Sequence, residues 1–289
     1  VDFRPLGLGD KPLVDLVLQK YPPEVSELTF TNLFCWQAKR RVSYAEIADG
    51  AAFLAAEPRR TFFLPPAGKD AAGATRAVLE YARSAGLEPV VERVPEAMAG
   101  ELAGSGLRVE EDRDNWDYVY DVSDLAHLEG RKYDGKRNFV RQALAGNNCE
   151  YLHLTAGDVN DCLALETGWC NLRHCELDPG LEAEQRAIAV CFQNWAELSL
   201  IGGAVLVSGR IQAFAIGEKL NPTTAVVHFE KANPESRGLY QLINHWFVRN
   251  ELSRFAYVNR EQDLGVEGLR KAKESYHPHH MVRKFTVRP

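Results

Sequence analysis

Apolar residues recur in two rhythms along this 289-residue chain. Alternating runs predict strands at V-S-Y-A-E-I, A-A-F-L-A and T-F-F-L-P in the first half. In the second half the same rhythm marks E-Y-L-H-L, then G-A-V-L-V-S, I-Q-A-F-A-I-G-E and T-A-V-V-H-F-E-K-A. A turn signal, S-G-R, joins the first two strands of that last group. Helical spacing lies between these runs. Asp10 is a good N-cap for a helix through K-P-L-V-D-L-V-L-Q, and proline is tolerated in a first turn that lacks partners for its N–H groups. A helix over 71–84 stops before Gly86, which suits the left-handed residue that closes a helix. Strand E-P-V-V-E-R-V, a short helix near 95–102 and extended N-W-D-Y-V-Y-D-V complete the first half.

A helix over 136–145 bridges the halves, and another begins at Asp158. A longer one, L-E-A-E-Q-R-A-I-A-V-C-F-Q-N-W-A-E-L, carries Ile188, Cys191, Phe192 and Trp195 at helical spacing. After N-P-E-S-R-G comes a strong helix, L-Y-Q-L-I-N-H-W-F-V-R-N-E-L. Strand F-A-Y-V-N, helix L-G-V-E-G-L-R-K-A-K and a single last strand, M-V-R-K-F-T-V, end the chain. The second half therefore reads strand, two helices, three strands, helix, strand, helix, strand, and the first half is a looser version of it. The predicted organisation is an N-terminal domain over 1–130, a bridging helix over 131–148 and a C-terminal domain over 149–289.

Composition narrows the field. Apolar residues make up 45% and charged residues 26%, the balance of an ordinary globular protein. No run is long and apolar enough to span a membrane, and V-D-F-R-P-L lacks the form of a secretory signal, so the expected location is cytoplasmic. Six cysteines without a CxxC pair predict reduced, core-packed thiols; W-C-N-L-R-H-C, with His174, is short of a second ligand pair for zinc. His277, His279 and His280 lack a neighbouring carboxylate, so no metal is predicted there either. A net charge of −6 argues against indiscriminate nucleic-acid binding. Two basic patches run against that average: 130–141 holds five basic residues and one acid, and 249–288 nine and five. Such patches permit selective recognition of a phosphate-bearing partner, or they simply solvate helix faces.

The element order resembles that of GNAT acyltransferases, repeated in tandem. R-D-N-W-D-Y-V-Y, G-K-R-N-F, H-F-E-K-A and R-G-L-Y-Q-L-I-N, in that order, resemble an uncharacterised bacterial family grouped with the C-terminal catalytic domain of phosphatidylglycerol lysyltransferases. The resemblance spans essentially the whole chain. It implies an α/β (α+β) fold of two GNAT-like domains, each a mixed, mostly antiparallel sheet flanked by helices. It also implies an aminoacyl- or acyltransferase taking aminoacyl-tRNA or another anionic donor. The acceptor would be a small molecule, a peptide or a lipid headgroup. Larger relatives carry a transmembrane half that these residues do not contain, which puts a lipid acceptor in doubt.

In that fold the strand before the central helix and the strand after it splay apart, and substrates enter the gap. Here those strands are A-V-V-H-F-E-K-A and F-A-Y-V-N. Their ends place Glu230 and Lys231 beside Asn259, Arg260, Glu261 and Asp263. Acyl transfer needs a base for the nucleophile, donors for the oxyanion and a proton for the leaving group. Glu230 or Glu261 is the candidate base and Tyr276 the candidate acid, while a plain structural pair of Glu230 with Arg260 stays open. Arg237, Arg270 and Lys273 are candidate contacts for an anionic donor. Lys136, Arg137 and Asn138, with Asn115, Asp117 and Tyr118, either line one end of the cleft or join the domains. Acyl-CoA enzymes of this fold cradle pyrophosphate on a Q/R-x-x-G-x-G/A loop. N-P-E-S-R-G-L-Y has one glycine, Gly238, so acyl-CoA is disfavoured and no cofactor is predicted. The alternatives are an acyl-CoA-dependent N-acyltransferase and a non-catalytic pocket protein for an anionic metabolite or peptide.

Overall fold

The computed structural model describes residues 1–289 and divides into two compact units. The first comprises residues 1–118, 261–270 and 281–289, and the second residues 119–260 and 271–280. Each is a seven-stranded, mostly antiparallel sheet flanked by helices, as expected.

The first unit opens with β1 (Arg4–Pro5), α1 (Lys11–Lys20) and α2 (Phe30–Cys35), the last capped by Thr29, whose side chain accepts the Asn32 N–H. Strands β2 (Arg41–Ile47), β3 (Gly50–Glu57) and β4 (Arg60–Ala67) form a meander. Helix α3 (Ala71–Ser84) starts where Asp70 accepts the Gly73 N–H and ends before Gly86 at φ +69°, as its spacing predicts. It leads to β5 (Val91–Pro95), parallel to β4, and then to α4 (Glu96–Ala103) and β6 (Arg108–Glu111). Phe63, Val78, Leu79, Val91, Val94 and Leu102 make its apolar core.

The second unit begins within β7 (Asp117–Asp121), at residue 119, and continues with α5 (Val122–His127), α6 (Asp134–Leu144) and β8 (Cys149–His153). Then come α7 (Val159–Arg173), α8 (Pro179–Gln193), α9 (Trp195–Leu198), β9 (Ile201–Val207), β10 (Arg210–Lys219) and β11 (Thr224–Ala232). The central helix α10 (Leu239–Glu251) and β12 (Tyr257–Asn259) follow, then α11 (Glu267–Glu274), whose residues to Arg270 fall in the first unit, and β13 (His280–Val282), of which His280 falls in the second. Strand order is β13-β7-β12-β11-β10-β9-β8. Helices close on both faces of β9: a side chain at Gly202 would strike Trp195 at 2.4 Å, and one at Gly203 would crowd Phe247 of α10 at 3.0 Å.

Three expectations are corrected. The long helix predicted through Trp195 breaks at Asn194 into α8 and α9. M-V-R-K-F-T-V is two strands, because the chain leaves β13 and enters β14 (Lys284–Arg288), which inserts between β5 and β6 of the first sheet. Cys170 and Cys175 form a disulfide between the end of α7 and the turn after it, while the other four cysteines are thiols.

The insertion of β14 brings a charge into the first core. Lys284 is fully buried, its Nζ 2.6 Å from both Glu27 and Asp117, and Ser26 donates to Asp117 through N–H and hydroxyl at 2.9 Å. Burial alone would raise the Glu27 carboxyl, but Lys284 and Arg93 outweigh it and hold it low. Breaking a buried pair by removing one partner strands the other charge. Lys284→Met is therefore expected to destabilise the protein by about 3–5 kcal/mol, read from denaturant unfolding; a loss below about 1 kcal/mol would deny the pair a structural role.

Candidate active site

The site begins with a mismatch in strand length. β11 runs nine residues, but its parallel neighbour β12 runs three and pairs only with Thr224, Ala225 and Val226. Beyond Val226 no strand continues on that side, so the sheet opens along residues 227–232. Alternation along β11 then sends Glu230 to the α10 face and Lys231 to the α7 and α8 face.

On the α10 face Glu230 meets Arg260, the first residue after β12. Arg260 Nη2 donates to both carboxylate oxygens, at 3.1 and 3.3 Å, and Asn244 of α10 donates to Oε2 at 3.1 Å. The Arg260 guanidinium lies 4.9 Å from the ring centre of Tyr276 and 5.6 Å from that of Tyr120. Burial works against its charge, and Glu230, Tyr120 and Tyr276 together more than offset that cost. Its Nη1 and the Asn244 Oδ1 are buried without a protein hydrogen-bond partner, so the cluster holds unused polar capacity. Lys136 of α6 sits against the same ring, its Nζ 3.8 Å from the Tyr276 centre, and donates to Ser275 Oγ at 2.6 Å. Burial, with the Arg260 charge beside it, pulls the Lys136 ammonium down to about 8. Burial also pushes the Tyr276 phenol well above its ordinary range, with Arg260 opposing and Glu230 adding to the rise. Lys273 donates to the Arg260 carbonyl.

Five of the predicted residues thus meet in one cluster: Glu230, Arg260, Tyr276, Lys136 and Lys273. Glu261, Asp263 and Arg270 belong to the first unit. Glu261 has φ +56° and accepts from Asn32 at 3.4 Å. Asp263, fully buried, accepts from Tyr118 at 2.6 Å, Arg270 at 2.9 Å and Arg113 at 3.2 Å. Burial would raise its carboxyl, but these bonds win and hold it far below the usual carboxylate range. Arg270 also reaches Asp114 at 2.8 Å. In the second unit, Asn259 is buried as the last residue of β12. Arg137 binds the carbonyls of Leu128 and Gly130, and Asn138 is exposed on α6. Arg237 is exposed over the Phe139 ring, 5.4 Å from its centre. Sequence reasoning missed Asn244, Tyr120 and Ser275. Asn244 left a signal: it is a lone amide on the buried stripe of α10 that also carries Phe247.

Lys231 works on the other face, apart from this cluster. Its Nζ is 2.7 Å from Glu184, 3.8 Å from Glu166 and 3.6 Å from the ring centre of Trp169, whose Nε1 donates to Tyr240 at 2.7 Å. Trp169 lines a cleft of about 570 Å³ with Leu165, Gly168 and Leu172 of α7 and with Gln212 and Asn233. Burial pushes the Glu166 carboxyl up to about 7, with Lys231 opposing and Glu184 adding to it. A carboxyl raised on folding weakens stability as pH rises from its unfolded value, near 4.5, to its folded value, near 7. Glu166→Gln removes that dependence. It is expected to gain on the wild type by about 3 kcal/mol between pH 4.5 and 7, measured by urea unfolding across pH. Parallel pH curves for the two proteins would contradict the shift.

The family model described as phosphatidylglycerol lysyltransferase, C-terminal, matches residues 18–288. Among solved structures, a conserved protein of unknown function from Bacteroides thetaiotaomicron VPI-5482 is 32% identical with a TM-score of 0.93, the match covering 99% of each chain. L-PGS from Bacillus licheniformis matches at a TM-score of 0.66 and 14% identity, over 96% of this chain and 91% of that one. FemX matches at a TM-score of 0.61 and 9% identity, over 99% and 97%. At those identities the last two show likeness of fold. No curated protein matches the chain. A match over nearly the whole length places this chain in the family of the C-terminal domain of phosphatidylglycerol lysyltransferase.

Proposed function

We propose that the chain is an aminoacyltransferase working at the splay of the second sheet. It would move an aminoacyl group from aminoacyl-tRNA, or a similarly anionic donor, to an amine or hydroxyl of an acceptor. The observation that carries this reading is the cluster in the gap beside β11, where Arg260, Lys136 and Lys273 outnumber the one acid, Glu230. A site with surplus positive charge and an unused arginine donor favours an anionic substrate and a developing oxyanion. Family membership supports the reaction class. The acceptor would be a small molecule, a peptide or a lipid headgroup; no helix is long and apolar enough to cross a membrane.

Acyl-CoA is the weaker donor. Gly238, the one glycine of the loop before α10, has φ +86°, and a Cβ there would lie 2.2 Å from the Phe139 carbonyl of α6. Its freedom is spent on a close approach to α6, and the loop has no second glycine to bring its backbone up to a phosphate.

The test offers the purified chain a panel of labelled aminoacyl-tRNAs and acyl-CoAs with mixed amine, peptide and phosphatidylglycerol acceptors. Transfer from an aminoacyl-tRNA is expected, and Arg260→Met should slow it about 30-fold or more, the cost of removing one partner of a desolvated ion pair. Transfer from acyl-CoA alone would overturn the donor. Ligand-induced thermal stabilisation with no turnover from any donor would replace the enzyme by a binding protein.

A further inference from the structure

The Glu230 cluster needs a group that can both take and return a proton, because the attacking amine or hydroxyl must lose one and the ester oxygen must gain one. Four of its members are poorly placed for that. Both oxygens of Glu230 are engaged by Arg260, and one also by Asn244. Arg260 does not deprotonate in proteins. Burial holds the Tyr276 phenol in its protonated form, so it cannot take a proton from the nucleophile. Lys273 is committed to the Arg260 carbonyl.

Resting on the transferase reading, we propose that Lys136, and not a carboxylate, is the proton-transfer group of this site. Its position is built for two protonation states. Ser275 gives its own hydroxyl proton to the Ala272 carbonyl at 2.6 Å, so its oxygen can only accept from Lys136, at 2.6 Å. A neutral amine keeps two N–H bonds, so one can hold Ser275 after the third proton leaves. The lone pair so exposed then points elsewhere. The Tyr276 ring fixes the amine at 3.8 Å in either state, by cation–π attraction or by packing. The charge acting on it is Arg260, after β12, which in turn holds Glu230 of β11 and takes the Lys273 ammonium of α11 on its carbonyl. The phenols of Tyr276 and Tyr120 complete the surroundings. Arg260 disfavours the ammonium, as burial does, which sets the amine near 8.

The step balances without a further reactant. As the acceptor nitrogen or oxygen forms its bond to the ester carbon, its proton passes to the neutral Lys136 amine. As the ester C–O bond breaks, the ammonium returns that proton to the departing oxygen, leaving an alcohol and the new amide or ester.

The experiment has two arms. In the first, reductive methylation with ¹³C-formaldehyde makes each lysine visible by NMR, and Lys136→Arg assigns the missing signal. Lys136 is expected to titrate two or more units below the surface lysines, and Arg260→Met should move its midpoint upward. In the second arm, transfer is measured across pH. Lys136→Arg keeps the charge but not the titration, so kcat should fall at least tenfold with KM changed less than threefold. Lys136→Cys alkylated to thialysine should restore turnover, with the acidic limb of the pH profile shifted down. A Lys136 midpoint level with the surface lysines, in a chain that does transfer, overturns this inference alone. Full turnover in Lys136→Arg does the same. A low midpoint in a chain that transfers nothing overturns the transferase reading, and this inference with it.

Discussion

The second unit turns on the shortness of β12. A parallel ladder ties it to β11 for three residues, and where it stops, the longer strand continues without it. Backbone polar groups and side chains there need other partners, and both sets of neighbours are used. α10 supplies Asn244, the segment after β12 supplies Arg260, and α6 brings Lys136 from a hundred residues upstream of α10. Had β12 matched β11 in length, Glu230 would stand inside a closed sheet with no room for an arginine beside it. The gap is a property of strand register, and the charges are its contents.

The two units bury charge in different ways. In the first, Lys284 faces two acids, and Asp263 accepts from two arginines and a tyrosine. Those groups are spent on each other, which specifies a fold and leaves little to offer a ligand. In the second, Lys231 likewise faces two acids, but the Glu230 cluster holds one carboxylate among three cations, and there an arginine nitrogen and an amide oxygen lack protein partners. Closed networks are structural devices, whereas an imbalanced one asks for a further ion.

Much of this was legible in the sequence, and the reason is locality. β2 to β4, α3, β9 to β11 and α10 follow from periodicity and caps read within a dozen residues. The fold follows from element order, and Glu230 with Arg260 follows from knowing which strand ends are neighbours. What failed to show depends on distant partners. M-V-R-K-F-T-V alternates smoothly, and nothing within it says that Met281 and Phe285 serve different sheets. Cys170 and Cys175 look like core thiols until the turn at His174, with φ +53°, folds one sulfur onto the other. Lys136 could be read only as a basic residue on a polar helix, since the ring it lies on belongs to Tyr276.

The place of β14 also sets an order of birth. The first sheet lacks its sixth strand in space until residues 284–288 are made, so β5 and β6 emerge early and wait, with Glu27 and Asp117 still without their lysine. The second sheet has β7 to β12 in hand by residue 259 and can assemble while the tail is still within the ribosome. The half that is synthesised first is therefore the half that finishes last. β14 thus closes a sheet whose other strands were all made before residue 112.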